Sequence, residues 1–234
     1  MKVRILFTAV VGMLLLAGCT VMVPGTAVPA DSDGPLKPKP VATSAVEDLL
    51  AGPVEVSKVA GSGTTLVQQA RATGMSDSTG ISSRDCRSAW SPLQKASYDG
   101  SGWISVAGKI LSDERDKETR PDNVITQAVV SFNDSDAADT FFSGVTKRWK
   151  ACSDKSVVYT QDGGKQTNWS LGPVISGDDV IQISQTAEGG RGWGCQHVLG
   201  VRNNIAIEVL HCAEGPGEQA RGVFDLIARN VGDR

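Results

Sequence analysis

The stretch CQHVLGVRNNIAIEVLHC, residues 195–212, constrains the fold more than any other part of the sequence. It begins and ends on cysteine, and a β-rich run lies on either side of Asn203 and Asn204. Asparagine accepts positive φ more readily than most residues, so this pair predicts a two-residue β-turn. In that hairpin Cys195 faces Cys212 at a non-hydrogen-bonded position. Such positions bring two Cα atoms to about 4.5 Å, which a disulfide accommodates.

The same register separates the two histidines of the chain. His197 opposes Leu210 and His211 opposes Gln196, so the two imidazoles project from opposite faces of the hairpin. They cannot jointly hold one metal ion, and we expect neither a metal site nor a cofactor. His197 also shares a face with Glu208, one pair away. We interpret that contact as a surface ion pair, because no nucleophile for a catalytic triad accompanies it.

The amino terminus predicts export and lipid attachment. Residues 1–18 combine Lys2 and Arg4 with an apolar run and a small-residue cleavage site, which is typical of a signal peptide. The run is too short to span a bilayer. Leu-Ala-Gly followed by Cys19 resembles the bacterial lipobox, which implies acylation of Cys19 and a membrane-anchored, extracytoplasmic protein. The alternative is an ordinary secreted protein with an incidental cysteine.

Residues 19–43 form the expected lipidated terminus and a proline-rich spacer, and residues 44–234 form one folded domain. The net charge is −3 and no dense basic run occurs, so we expect no nucleic-acid partner. The mixed-charge segment DERDKETRPDN, residues 113–123, is interpreted as a solvated loop rather than a carboxylate site.

Four cysteines follow Cys19, namely Cys86, Cys152, Cys195 and Cys212. An even number in an exported chain indicates two disulfides, for which three connectivities exist. The hairpin register favours Cys195–Cys212, and elimination then leaves Cys86–Cys152.

The remaining pattern predicts an α+β domain. Strands are expected at residues 103–111, 124–132, 156–161, 166–171 and 179–187, besides the two of the hairpin. Short helices are expected at residues 44–50 and 66–72, a long one after Asp134 or Ser135, and a final one from Pro216. The long helix should bury a stripe of Ala138, Phe141, Phe142, Val145, Trp149 and Cys152. About seven antiparallel strands with helices packed on one face are therefore expected.

With these elements placed, the chain from about residue 45 resembles the PknH-type extracellular sensor domain, which occurs in a mycobacterial receptor kinase and in mycobacterial lipoproteins. The resemblance depends on WKAC at Trp149–Cys152, on the cysteine-framed RNN hairpin and on the closing amphipathic helix. It implies a sheet-and-helix fold with a large cleft, disulfides pairing first with second and third with fourth cysteine, and a ligand-binding role.

Three classes of function remain. The first is a non-enzymatic module that binds a small molecule, lipid or envelope glycan in a cleft. Trp169 and Trp193 border glycine-rich turns and are the candidate cleft-lining residues. The second is a docking module for another envelope protein, which would need a flat apolar patch. The third is an envelope hydrolase, which is disfavoured because G-x-S-x-G is absent, so no catalytic residue is assigned.

Overall fold

The computed structural model describes residues 37–113 and 120–232. The predicted signal peptide, Cys19 and the predicted spacer up to residue 36 lie outside the described residues, as do residues 114–119 of the charged loop. Within the described part of the chain, no helix combines the length and apolarity needed to cross a bilayer.

The described residues form nine strands and five helices. The strands are β1 (Val67–Ala72), β2 (Ser105–Ser112), β3 (Asn123–Ser131), β4 (Ser156–Thr160), β5 (Gln166–Leu171), β6 (Ile175–Ser176), β7 (Val180–Ala187), β8 (Trp193–Arg202) and β9 (Ile205–Glu214). The helices are α1 (Pro53–Ala60), α2 (Arg87–Trp90), α3 (Lys95–Tyr98), α4 (Ser135–Lys150) and α5 (Gln219–Gly232). Two 3₁₀ turns, Thr43–Ala45 and Glu47–Leu49, precede α1.

All strands belong to one antiparallel sheet with the order β1-β2-β3-β9-β8-β7-β5-β4, and β6 pairs with β7. The cysteine-framed hairpin is β8–β9, at the centre of this order. The α+β class with an antiparallel sheet is confirmed.

The predicted hairpin register is confirmed. Arg202 pairs with Ile205 across the turn, and Cys195 pairs with Cys212. The structure joins Cys195 to Cys212 with a Cα separation of 4.0 Å. It also joins Cys86 to Cys152 with a Cα separation of 5.7 Å.

The two turn asparagines have different roles. Asn203 has a φ of 51°, the left-handed conformation for which asparagine was expected. Asn204 instead supplies a buried carboxamide, which accepts from Val41 N at 2.8 Å and donates to Val41 O at 3.1 Å and Phe132 O at 2.8 Å. Asn203 Nδ2 donates to Lys39 O at 2.7 Å. Residues 39–41, which the sequence places in the spacer, are therefore bonded to the tip of the central hairpin.

Helices cover both faces of the sheet, whereas the sequence predicted one covered face. Every residue of β8 between its two ends is buried, including the polar residues Gln196 and His197, because both faces of this strand are covered. We name the two sides by their main helix. The α4 face packs against α2, α3 and α4, and the α5 face packs against α1 and α5.

The α5 face depends on close contact between a helix and the hairpin. A Cβ at Gly200 would lie 2.7 Å from Phe224 Cζ, so a larger residue would push α5 away from β8. The buried residues of α5 are those that the sequence predicts, namely Ala220, Val223, Phe224, Ile227 and Val231.

The α4 face holds the predicted long helix. Asp134 is its N-cap and accepts from Ala137 N at 2.9 Å. The predicted stripe is buried, and it ends at Trp149 and, just beyond the helix, Cys152. The disulfide from Cys152 to Cys86 holds the segment 86–98, which contains α2 and α3, under this helix.

Several local predictions were wrong. Residues 67–72 form the edge strand β1 rather than a helix, because pairing with β2 outweighs local propensity. Residues 44–50 form 3₁₀ turns, not an α-helix. The helix α1, which the sequence did not predict, begins at Pro53, since proline suits a first helical position. The final helix begins at Gln219 rather than at Pro216.

Candidate functional site

Two neighbouring cavities lie at the ends of the central strands and share two lining residues, and we call the pair of cavities the groove. The first, of about 610 Å³, is lined by residues that include Asn123, His211 and Gln219, and we call it the His211 lobe. The second, of about 630 Å³, is lined by residues that include Asn168 and Trp169, and we call it the Trp169 lobe. Arg120 and Trp193 line both lobes, so these two residues lie where the lobes meet.

Trp193 and Arg120 stack against each other at this junction. The guanidinium carbon of Arg120 lies 4.1 Å from the centroid of the Trp193 ring. Arg120 Nη2 also donates to Glu214 Oε1 at 2.9 Å, and Glu214 is paired with Trp193 across β8 and β9. The exposed ion pair adds little stability, and the cation–π contact adds about 0.5–1 kcal/mol at an exposed site.

The Trp169 lobe has an aromatic wall and a polar rim. Trp169 is only 8% exposed and packs edge-on against Trp90, with 4.8 Å between ring centroids. Its indole Nε1 has no hydrogen-bond partner among the described residues. The rim carries the side chains of Gln161, Lys165, Gln166, Thr167, Asn168 and Glu188.

The His211 lobe contains a buried histidine. His211 is 1% exposed, and its Nε2 lies 3.0 Å from Asn123 Oδ1. The carboxamide oxygen can only accept, so Nε2 carries the proton and Nδ1 is an acceptor. Nδ1 has no partner among the described residues. Burial lowers the pKa of His211 from its usual 6.5 to about 4, and the charge of Asp113 only partly opposes this.

This pKa predicts that acid destabilises the fold. Above pH 6.5 His211 is neutral whether the chain is folded or unfolded, so its contribution to stability is complete there. As the pH falls from 6.5 towards about 4, His211 becomes protonated in the unfolded chain but stays neutral in the folded chain. The free energy of unfolding should fall by up to about 3 kcal/mol across this window. Urea titrations at several pH values measure it.

His211→Gln is the control for this pH dependence. Glutamine can still donate to Asn123 Oδ1, but it does not titrate. The variant should lose most of the acid-dependent part of the unfolding free energy between pH 6.5 and 4. An equal pH dependence in both proteins would contradict the assignment to His211.

The other histidine lies outside the groove, on the α4 face. His197 and Glu208 do make the predicted contact, with 3.3 Å between His197 Nε2 and Glu208 Oε2. The interpretation of this contact as a surface ion pair was wrong, since the side chains are 0% and 3% exposed. The divergence of the two histidines is confirmed. In residues 37–113 and 120–232, no His, Cys, Asp or Glu side chains cluster as a metal site.

Glu208 connects the hairpin to the segment held by the first disulfide. Its Oε1 accepts from Leu93 N at 3.1 Å and from the hydroxyl of Tyr98. Leu93 has a φ of 58°, a left-handed conformation that is unfavourable for leucine and that Glu208 helps to hold. Burial, together with the Glu208 carboxylate, raises the pKa of Tyr98 well above its usual 10.

His197 completes this buried network. Its Nδ1 donates to Ala89 O at 3.1 Å, and its ring lies 4.5 Å from that of Trp149. Gln185 Nε2 donates to the same carbonyl and to Trp90 O, both at 2.9 Å. Gln185 of β7, His197 of β8 and Glu208 of β9 thus form hydrogen bonds with the backbone of the segment 86–98.

The sequence predicted only some of the residues that line the groove. Trp169 and Trp193, the two predicted cleft residues, both line the Trp169 lobe. Their role in binding stays a prediction. Arg120 and His211 were missed as groove residues. The available signal was the strand pairing of Trp193 with Glu214, which brings the end of β9 beside the indole.

Comparison with known proteins agrees with this fold. The PknH-like extracellular domain family matches residues 41–230. Serine/threonine-protein kinase PknH of Mycobacterium bovis is 30% identical over 197 residues, which are 84% of this chain and 32% of the kinase. PknH of Mycobacterium tuberculosis is likewise 30% identical over 84% of this chain and 30% of its own length. The chain thus spans about a third of the length of these curated relatives.

The structural match covers the same region. The crystal structure of the extracellular domain of PknH from Mycobacterium tuberculosis superposes with a TM-score of 0.78 and 30% sequence identity. The match covers 84% of this chain and 99% of that domain. The chain belongs to the PknH-like extracellular domain family.

Proposed function

We propose that this protein is an extracytoplasmic sensor domain that binds a small molecule, lipid or envelope glycan in the groove and does not transform it. The observation that carries this proposal is the stacked Trp193–Arg120 pair between two lobes of about 610 and 630 Å³. Each volume lies within the range of about 300–1,000 Å³ that is typical of small-molecule sites. The polar rims and buried aromatic wall suit recognition of one ligand chemistry.

The two histidines support a non-catalytic role. General bases work best when their pKa is close to the ambient pH, and that of His211 is about 4. No substrate can reach His197, because its side chain is 0% exposed and packs against Trp149.

The test is to purify the full chain from its natural host and to identify co-purifying molecules by mass spectrometry. A specific small molecule, lipid or glycan in stoichiometric amount is expected with the wild-type protein. Trp193→Ala should lose it, because the wall shared by both lobes disappears. Trp103→Ala is the matched control, since this half-buried tryptophan lies outside both lobes.

Two results would overturn the proposal. Retention of the same molecule by Trp193→Ala would place its site elsewhere. Recovery of a stoichiometric protein and no small molecule would favour the docking alternative.

We also propose that Cys19 anchors the protein in the membrane through attached acyl chains, which the lipobox-like sequence before Cys19 supports. Each buried methylene contributes about 0.8 kcal/mol, and stable anchoring needs more than one chain. Cys19→Ala should release the protein from the membrane fraction and abolish palmitate labelling. Unchanged membrane retention and labelling in this variant would refute the anchor.

A further inference from the structure

The open end of the β8–β9 hairpin places an indole and a carboxylate side by side. Trp193 pairs directly with Glu214 across the two strands. Side chains of directly paired residues project from the same face of a sheet, with about 4.5–5.5 Å between their Cβ atoms. The strand pairing therefore brings the indole and the carboxylate together without help from a third residue.

An indole face beside a carboxylate suits a cation. The ring attracts a guanidinium or ammonium group, and tryptophan gives the strongest contact of this kind among the aromatic side chains. The carboxylate accepts a charge-assisted hydrogen bond from the same cation. In this structure the guanidinium of Arg120 occupies the position, with its carbon 4.1 Å from the centroid of the Trp193 ring and its Nη2 2.9 Å from Glu214 Oε1.

Arg120 is a replaceable occupant of this position. It precedes β3, so it comes from a different segment than the two residues that it contacts. Its side chain is 46% exposed and that of Glu214 is 63% exposed, so solvent reaches both partners of the ion pair. Exposed ion pairs and exposed cation–π contacts are each weak. A cation from solution therefore competes with Arg120 on nearly equal terms.

We propose that the ligand of the groove carries a guanidinium or ammonium group, which displaces Arg120 from Trp193 and pairs with Glu214. This inference rests on the proposed function and narrows its ligand class. Trp193 lines both lobes, so the rest of the ligand can extend from the bound cation into either cavity. An anionic ligand would instead need Arg120, whose charge is already paired with Glu214.

The direction of the effect of Arg120→Ala distinguishes these ligand classes. Arg120 competes with a cationic ligand, so its removal should tighten binding by about fivefold, the factor that weak exposed contacts of this kind supply. The same substitution should weaken the binding of an anionic ligand, because the positive partner disappears. A purely structural role for Arg120 would weaken the binding of both classes or change neither.

The measurement is an NMR titration of the Trp193 indole N–H in the ¹⁵N-labelled full chain. Arginine amide, which bears a guanidinium group and no carboxylate, should give a saturable shift, whereas the dicarboxylate glutarate should give none. Dihexanoyl phosphatidylethanolamine presents an ammonium group on a lipid. Tighter binding of this lipid than of arginine amide would support the inference and identify a lipid headgroup as the source of the cation. The indole of Trp103, which lies outside both lobes, should not shift.

Two further variants separate displacement from a general effect of charge. Arg191 lines the His211 lobe, and Arg191→Ala removes the same charge while Arg120 stays in place. The affinity for arginine amide should then change by less than about twofold, because salt screens exposed charges. In the Arg120→Ala background, Glu214→Gln removes the counter-charge of the ligand and should weaken binding by about threefold.

The outcomes separate this inference from the proposed function. Weaker or unchanged binding of arginine amide by Arg120→Ala, or equal tightening by Arg191→Ala, would overturn displacement. A shift with glutarate that Arg120→Ala abolishes would assign the groove to anions, so the cation inference would fail alone. If no probe shifts the Trp193 indole, the cation inference is overturned, and the co-purification experiment decides the proposed function separately.

Discussion

Replacing Glu208 with alanine is expected to lower the free energy of unfolding by about 2–6 kcal/mol, because two buried donors each lose their acceptor at a cost of about 1–3 kcal/mol. The substitution leaves the amide of Leu93 and the hydroxyl of Tyr98 without their common acceptor. Each orphaned donor is buried, so water cannot replace the lost carboxylate. Urea denaturation followed by tryptophan fluorescence measures the change as a lower midpoint.

Glu208→Gln is the matched control. Its carboxamide oxygen can still accept from Leu93 N and the Tyr98 hydroxyl, and its NH₂ group can face His197 Nε2. We expect a loss of at most about 1.5 kcal/mol, which is typical of one net hydrogen bond. Equal losses in the alanine and glutamine variants would show that the network does not stabilise the segment 86–98.

Removing the Cys86–Cys152 disulfide by a double alanine substitution is the second large effect. The bridge spans 66 residues, and closing a loop of that length stabilises by about 4 kcal/mol in the chain-entropy model. The segment 86–98 should also become a preferred site of proteolysis, because the covalent link to the end of α4 is lost. Denaturation midpoints and the mass of the first proteolytic fragments are the measurements.

The second disulfide supplies the comparison. Cys195–Cys212 spans 17 residues, for which the same model gives about 3 kcal/mol. Removing this disulfide should lower the free energy of unfolding by less than removing Cys86–Cys152, because the hydrogen bonds between β8 and β9 still fix the register. A larger loss for the Cys195–Cys212 pair than for the Cys86–Cys152 pair would contradict the loop-length argument.

The centre of the fold was predictable because local and covalent signals coincide there. Two cysteines at equal distances from Asn203 and Asn204 allow one register, and that register is observed. In α4 the apolar spacing and the Asp134 cap both indicate the same helix. The sequence could not indicate the second role of Asn204, because its partners Val41 and Phe132 lie far away along the chain.

The misses have a common physical cause, namely contacts between distant segments. The local sequence near residue 67 does not indicate a strand, because β1 forms through its pairing with the distant strand β2. The exposure of Glu208 was misjudged because its partners Leu93 and Tyr98 come from another part of the chain. The glycine-rich turns next to Trp169 and Trp193 were enough to suggest that these two residues line a cleft. Arg120 was missed because it precedes β3, which long-range strand order places beside β9. His211 was missed because its cavity is completed by residues of α1 and α5.

The carboxamide bonds of Asn203 and Asn204 have a mechanical consequence. They fasten residues 39–41 to the tip of the hairpin in the middle of the sheet. Any tension applied from the amino-terminal side therefore reaches the sheet at its centre instead of at an edge strand. Force applied to residues 39–41 would therefore strain the turn between β8 and β9.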